Sequence, residues 1–170
     1  IEAGKIDYSI ENLWFRLEDG TLIKNECRTL VKDINEYPTI DKELFAPHVP
    51  IENSYLSTPS RGCPFICNFC SLQFLGREAV RLGVPRVRER AVESLIVELK
   101  EHVAKYKPPW IDFRQPVMSA KEKWTVEFFK RYTEEIDLPF RCFSHPLLIT
   151  EPGVRAMKEA GCYAIQMGVE

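Results

Sequence analysis

An α/β fold built on parallel strands is predicted by three features of this 170-residue sequence. Short strand-like runs recur at residues 53–58, 110–114, 138–145 and 162–168. Segments with apolar residues at helical spacing lie between them. Pro, Gly and hydroxyl-bearing residues mark the junctions. Repeated alternation of β and α calls for neighbouring parallel strands joined by crossover helices. In such sheets ligands gather at the carboxyl edge, where the connecting loops meet.

Residues 10–16 and 21–24 are rich in strand formers and flank Glu18-Asp19-Gly20, which is a hairpin signal. Trp14 and Phe15 read as packing residues there, and Cys27 as a half-buried thiol. Residues 32–46 hold Pro38 and little periodicity, so they read as an irregular linker. His48 reads as a surface-loop residue. The strand at 53–58 runs into a cysteine-rich loop, which Leu72, Phe74 and Leu75 are expected to cover from water. Val92, Leu95, Ile96, Leu99 and Val103 form an apolar stripe, giving a helix over about residues 88–106. Lys107-Pro108-Pro109 ends it.

The second strand, 110–114, is followed by Ser119, with Glu122 three residues later, which reads as a capping box. The helix it opens would bury Trp124, Phe128, Tyr132 and Ile136. After the third strand, Thr150-Glu151-Pro152 starts a helix with Pro in its first turn, and Gly161 closes it. Four places then fall on one carboxyl edge: the cysteine loop, Arg114-Gln115, Ser144-His145 and Glu170. His145 reads as a loop residue bonded to backbone, and Ser144 as a candidate contact.

Composition narrows the function classes. The chain is 45% hydrophobic and 28% charged, which is ordinary for a globular protein. Its net charge of −2, with no basic tract, argues against broad nucleic-acid binding. No apolar run approaches the ~20 residues that span a bilayer, and no signal peptide is visible. Clustered thiols with no secretory signal fit a reducing, cytoplasmic setting.

The most informative segment is Cys63-Pro64-Phe65-Ile66-Cys67-Asn68-Phe69-Cys70, a C-x3-C-x2-C loop. Iron–sulfur cubanes are held by cysteine thiolates. Three local ligands would leave one iron open to a substrate or cofactor. A structural zinc site is the other reading of the same thiols. Its fourth ligand would come from Cys27, Cys142, Cys162, His48, His102 or His145, none of which forms a second pair at zinc-finger spacing.

Residues 60–70, with Phe69 before the last cysteine, resemble the cluster loop of the radical S-adenosylmethionine superfamily. Val87-Arg88-Glu89-Arg90, Trp110-Ile111-Asp112-Phe113, Leu138-Pro139-Phe140-Arg141-Cys142 and the run Gly161 to Glu170 are similar in order and spacing. The likeness covers about residues 54–170 and is greatest to the subgroup that carries a cobalamin-binding domain. It implies a partial (β/α)6 barrel, with about four β/α units present. Residues 1–52 would be the hairpin and linker after an absent cobalamin-binding domain, and residues 53–170 the N-terminal two-thirds of the barrel.

The resemblance also implies chemistry. Cys63, Cys67 and Cys70 would bind a [4Fe-4S] cluster. S-adenosylmethionine would chelate the open iron and be cleaved reductively to a 5′-deoxyadenosyl radical. Phe69 would pack near the adenine, and Glu170 would help hold the ribose. Cobalamin-assisted methylation or rearrangement of a small-molecule or peptide substrate would follow. The electron would come from a donor such as flavodoxin or ferredoxin. An incomplete barrel would leave an open sheet edge, which a homodimer would cover.

One departure stands out. The subgroup shows acidic residues after the second strand, where this chain has Phe113-Arg114-Gln115-Pro116. Gln115 accepts hydrogen bonds without charge, and Arg114 matches carboxylate geometry. Two other classes stay open at this point: a zinc-stabilised interaction module, and a non-catalytic cluster-binding scaffold.

Overall fold

The computed structural model describes Gly4 and residues 6–168. The chain divides into two compact units, residues 1–30 and 31–170. In the first, β1 (Trp14–Arg16) and β2 (Leu22–Lys24) pair antiparallel, with Phe15 opposite Ile23. Gly20 takes φ +86°, and Asp19 accepts the Thr21 N–H at 2.9 Å, so the Asp-Gly signal does form the turn. Phe15 packs edge-on against Tyr8, but Trp14 is exposed and carries Lys24 over its ring, so only Phe15 serves as a packing residue.

The second unit begins with two short 3-10 turns, Ile34–Glu36 and Lys42–Leu44. Asn35 accepts the Ala91 N–H and the Ser94 hydroxyl, both at 2.8 Å, and Ile34 and Ile51 are buried. The elements that follow are β3 (Tyr55–Ser57), β4 (Ser60–Arg61), α1 (Ser71–Arg81), β5 (Arg88–Glu89), α2 (Val92–Tyr106), β6 (Ile111–Phe113), α3 (Glu122–Glu135), β7 (Phe140–Phe143), α4 (Glu151–Glu159) and β8 (Cys162–Gln166). The sheet order is β3-β6-β7-β8, and every pair in it is parallel. This is the α/β fold with parallel strands that the alternation predicts. It is an open four-stranded sheet, with no closed barrel among the described residues.

Aromatic residues build the core between sheet and helices. Phe113 on β6 meets Phe128, Phe129, Tyr132 and Phe140 at centroid distances of 5.4–6.4 Å, and Phe129 stacks on Phe140 at 4.7 Å. All five rings are fully buried. Leu95, Ile96 and Leu99 of α2 join the same cluster. Burying a large side chain contributes roughly 1.5–3 kcal/mol, so this cluster dominates the packing.

Three local expectations differ from the structure. Residues 71–81, expected only to cover the loop, form helix α1, whose inward face is the small pair Gly76 and Ala79 while Phe74 and Leu75 are 65% and 57% exposed. Residues 88 and 89 form a strand rather than the start of a helix, pairing antiparallel with Ser60 and Arg61. Ser119 does not cap α3. It accepts the Lys121 N–H at 2.9 Å and donates to Glu89 Oε1 at 2.6 Å, so its hydroxyl is used before the helix begins at Glu122.

The other ends follow the predicted signals. Thr150 accepts the Gly153 N–H at 3.3 Å, and Gly161 takes φ +87° just beyond α4. Lys107 at φ 49° supplies the left-handed residue that ends α2. No helix among the described residues is long and apolar enough to cross a membrane.

Candidate functional site

The cysteine loop leaves the carboxyl end of β3 through the short β4–β5 ribbon. Gly62 precedes the first cysteine at φ +93°, and a Cβ there would lie 1.9 Å from the Arg86 carbonyl oxygen. Only glycine combines that conformation with that approach. The end of the loop is a turn in which the Cys70 N–H donates to the Cys67 carbonyl at 3.1 Å. Cys70 is the N-cap residue of α1, and the side chain of Gln73 reaches back to the Cys67 carbonyl at 3.3 Å.

Cys63, Cys67 and Cys70 are all free and half-buried. Burial pushes the Cys63 thiol up, and the nearby Cys70 and Cys67 charges push the same way. The Phe65 N–H and the Arg86 charge pull against them. Among the described residues, no three Cys, His, Asp or Glu side chains are gathered as a single metal ion requires. A cubane asks for something different, since each thiolate binds its own iron. Three half-buried thiols on one short loop, partly offset by a cation, fit that donor set.

The other strand ends converge on this edge. The Arg114 N–H donates to the Ser57 carbonyl at 2.9 Å, and the Met118 N–H to the Phe143 carbonyl at 2.8 Å. The Ser144 N–H donates to the Gln166 carbonyl at 3.0 Å, and Ser144 is buried. His145 accepts the Leu147 N–H on Nδ1 at 3.1 Å, which is the backbone role expected of it. Its ring also stacks on Phe65 of the cysteine loop, with centroids 3.7 Å apart. Phe69 stands 73% exposed between the last two cysteines, and Glu170 lies outside the described residues.

Arg114 and Gln115 take different roles. Arg114 donates to Asp112 at 2.8 Å and lies over the Phe143 ring. Asp112 also receives Arg141 through two hydrogen bonds, of 3.0 and 2.7 Å. Burial opposes the Asp112 charge, but the hydrogen bonds and charges of Arg141 and Arg114 outweigh it and hold its carboxyl below the usual range. Gln115 is buried, with its amide nitrogen 3.0 Å from Met118 Sδ. Its carbonyl oxygen has no hydrogen-bond partner among the described residues. A buried acceptor without a donor is costly, so the position has an unmet demand for an N–H or O–H group.

Cys27 is exposed rather than half-buried. The neighbouring Cys162 thiol and burial push the Cys142 thiol up, and Cys162 Sγ donates to the Ala164 carbonyl at 3.6 Å. His102 lies on α2 with Nδ1 2.8 Å from the Glu98 carbonyl, and its ring sits near Tyr55. His48 is exposed in a turn.

Sequence reading missed three residues at this edge. Glu98 is buried and accepts the hydroxyls of Tyr55 at 3.1 Å and Ser57 at 3.4 Å, while also pairing with Arg90. Glu89 collects Ser119, the Ala120 N–H at 3.2 Å and Lys121 Nζ at 2.6 Å. Arg86 touches the cysteine loop. The charged run Arg86, Arg88, Glu89 and Arg90, broken only by Val87, was the available signal for a short polar strand.

No protein-family model matches the chain. It is 30% identical over 160 residues to an uncharacterized methyltransferase of Pyrococcus horikoshii, covering 90% of this chain and 33% of that protein. Among solved structures it is similar to the cobalamin-dependent S-adenosylmethionine radical enzyme OxsB with aqua-cobalamin bound. The TM-score is 0.68 at 16% identity, over 99% of this chain and 25% of that one. The form with S-adenosylmethionine also bound gives the same values. The chain thus spans about a third of the curated relative and a quarter of the solved enzyme. At that identity the likeness to OxsB is one of fold: this chain, with its open parallel sheet, is built like part of that enzyme.

Proposed function

We propose that this chain is part of a radical S-adenosylmethionine enzyme in which Cys63, Cys67 and Cys70 hold a [4Fe-4S] cluster. The observation that carries the reading is position. A three-thiol loop leaves the carboxyl end of the first strand of a parallel sheet, and that sheet resembles part of OxsB. A cluster held by these thiolates would supply the electron for reductive cleavage of S-adenosylmethionine. The name of the Pyrococcus relative favours methylation as the outcome, and the name of OxsB favours cobalamin as a second cofactor of the full-length protein.

The chain's own residues have distinct parts in this reading. The cysteines each give one thiolate, and their half-burial limits access of water to the sulfurs. Phe69, exposed beside two of them, offers its ring face to the nucleoside. The unpartnered Gln115 carbonyl would accept from the cofactor's ammonium group once binding uncovers that buried oxygen. Arg114 keeps N–H groups beyond the one bound to Asp112, and these suit a carboxylate. Ser144 adds a contact from the end of the third strand. Flavodoxin or ferredoxin would deliver the electron.

Anaerobic reconstitution with iron and sulfide tests the metal. About four irons and four sulfides per chain support the cluster, whereas one zinc that resists replacement supports an interaction module. Mixing the reduced full-length protein with S-adenosylmethionine tests the chemistry. Formation of 5′-deoxyadenosine or S-adenosylhomocysteine supports catalysis, and a loaded cluster that forms neither marks a scaffold.

A further inference from the structure

Arg86 grips the cysteine loop from two sides. Its carbonyl oxygen occupies the space that a side chain at Gly62 would need, 1.9 Å from the ideal Cβ. Its side chain crosses α1 at Gly76, where a Cβ would meet Nη1 at 2.5 Å and Cζ at 2.9 Å. Beyond Gly76, Nη1 donates to the carbonyl of Phe65, between the first two cysteines, at 3.4 Å. Two glycines on two different elements therefore leave room for one arginine. The result is a cation against the loop from which the thiolates project.

We propose that Arg86 is a positioning residue for the cysteine loop: it pins the Phe65 turn and offsets the negative charge that collects there when a cluster is bound. The role rests on the cluster reading above. Three thiolates on one cluster, and a further electron on reduction, concentrate negative charge. A fixed guanidinium in contact with the loop favours the more negative, reduced state. Removing it shifts the reduction potential downward and frees the loop.

The experiment uses the whole chain, as wild type and as Arg86→Gln, Arg86→Lys and Gly76→Ala. Amide hydrogen exchange of residues 62–70 is measured on the metal-free proteins. Iron content, reduction potential and the rate of cluster loss to a chelator are measured after reconstitution. Circular dichroism and thermal melting establish that each variant folds.

Arg86→Gln is expected to exchange faster in the loop, to lose its cluster about tenfold faster, and to show a more negative potential. Arg86→Lys restores most of the potential, because the charge remains, but not the slow exchange. Gly76→Ala displaces the guanidinium without removing it, so it speeds exchange and cluster loss with less effect on potential. If wild type takes up no iron, the cluster reading falls and this role falls with it. If wild type loads its cluster and Arg86→Gln matches it in exchange, cluster loss and potential, the role of Arg86 alone is overturned.

Discussion

The ring of Phe65 stacks on His145 with centroids 3.7 Å apart and planes 23° apart. One ring belongs to the cysteine loop after β3, and the other follows β7. The contact joins strand ends that are not neighbours in the sheet, since β6 lies between them. Replacing His145 by Ala is expected to cost about 1 kcal/mol, the size of an aromatic pair. Urea unfolding measures the cost, and limited proteolysis should show cleavage near residues 64–66 first.

Gly62→Ala is expected to be more damaging. The added methyl would need to overlap the Arg86 carbonyl, which lies 1.9 Å from the ideal Cβ, at a φ of +93° that L side chains rarely adopt. Strained backbone and displaced contacts together should remove about 3 kcal/mol. The denaturation midpoint reports the loss. Gly83→Ala is the comparison, because its φ is also positive but no atom lies within 4 Å.

Asp112→Asn removes the buried charge that joins Arg114 and Arg141. Both arginines are partly exposed, so the expected loss is about 2 kcal/mol rather than the larger cost of a fully buried pair. The folded-state pKa of Asp112 is lowered. Its contribution is therefore complete above the ordinary aspartate value of about 3.9, and is lost as the pH falls below that through the lowered folded value. Unfolding free energies measured from neutral to acidic pH should fall less steeply for Asp112→Asn than for wild type.

Glu98→Gln leaves a buried position with one acceptor oxygen where Tyr55, Ser57 and Arg90 now share two. A loss of about 2–3 kcal/mol is expected. A double-mutant cycle with Tyr55→Phe should be clearly non-additive, because the two residues share a hydrogen bond of 3.1 Å.

How much of this was legible in the sequence depends on range. The β–α order, the Asp19-Gly20 turn, the Thr150 cap and Gly161 were readable, because their causes lie within a few residues. Ser119 misled for the same reason. Its nearby Glu122 looked like a cap partner, but Glu89 from another strand took the hydroxyl. The Asp112–Arg141 pair follows from the parallel register of β6 and β7, which sets those two residues opposite each other and cannot be read from either strand alone.

At the candidate site, the three cysteines declared themselves by spacing. The convergence of Arg114, Gln115, Ser144 and His145 on the loop's edge followed from topology. The details did not. Arg86 acts partly through a main-chain carbonyl, which carries no sequence signature. Phe74 and Leu75, expected to shield the loop, face solvent, and the buried side of their helix is carried by Gly76 and Ala79 instead.

Position 115 carries an amide rather than a carboxylate. A carboxylate there would gain and lose a proton, and its grip on a cationic guest would weaken in acid. Glutamine has no such proton to exchange. Whatever donor settles against that unpartnered oxygen should be held with the same strength in acidic and neutral buffer, and acid sensitivity of binding would have to originate in the guest or elsewhere in the protein.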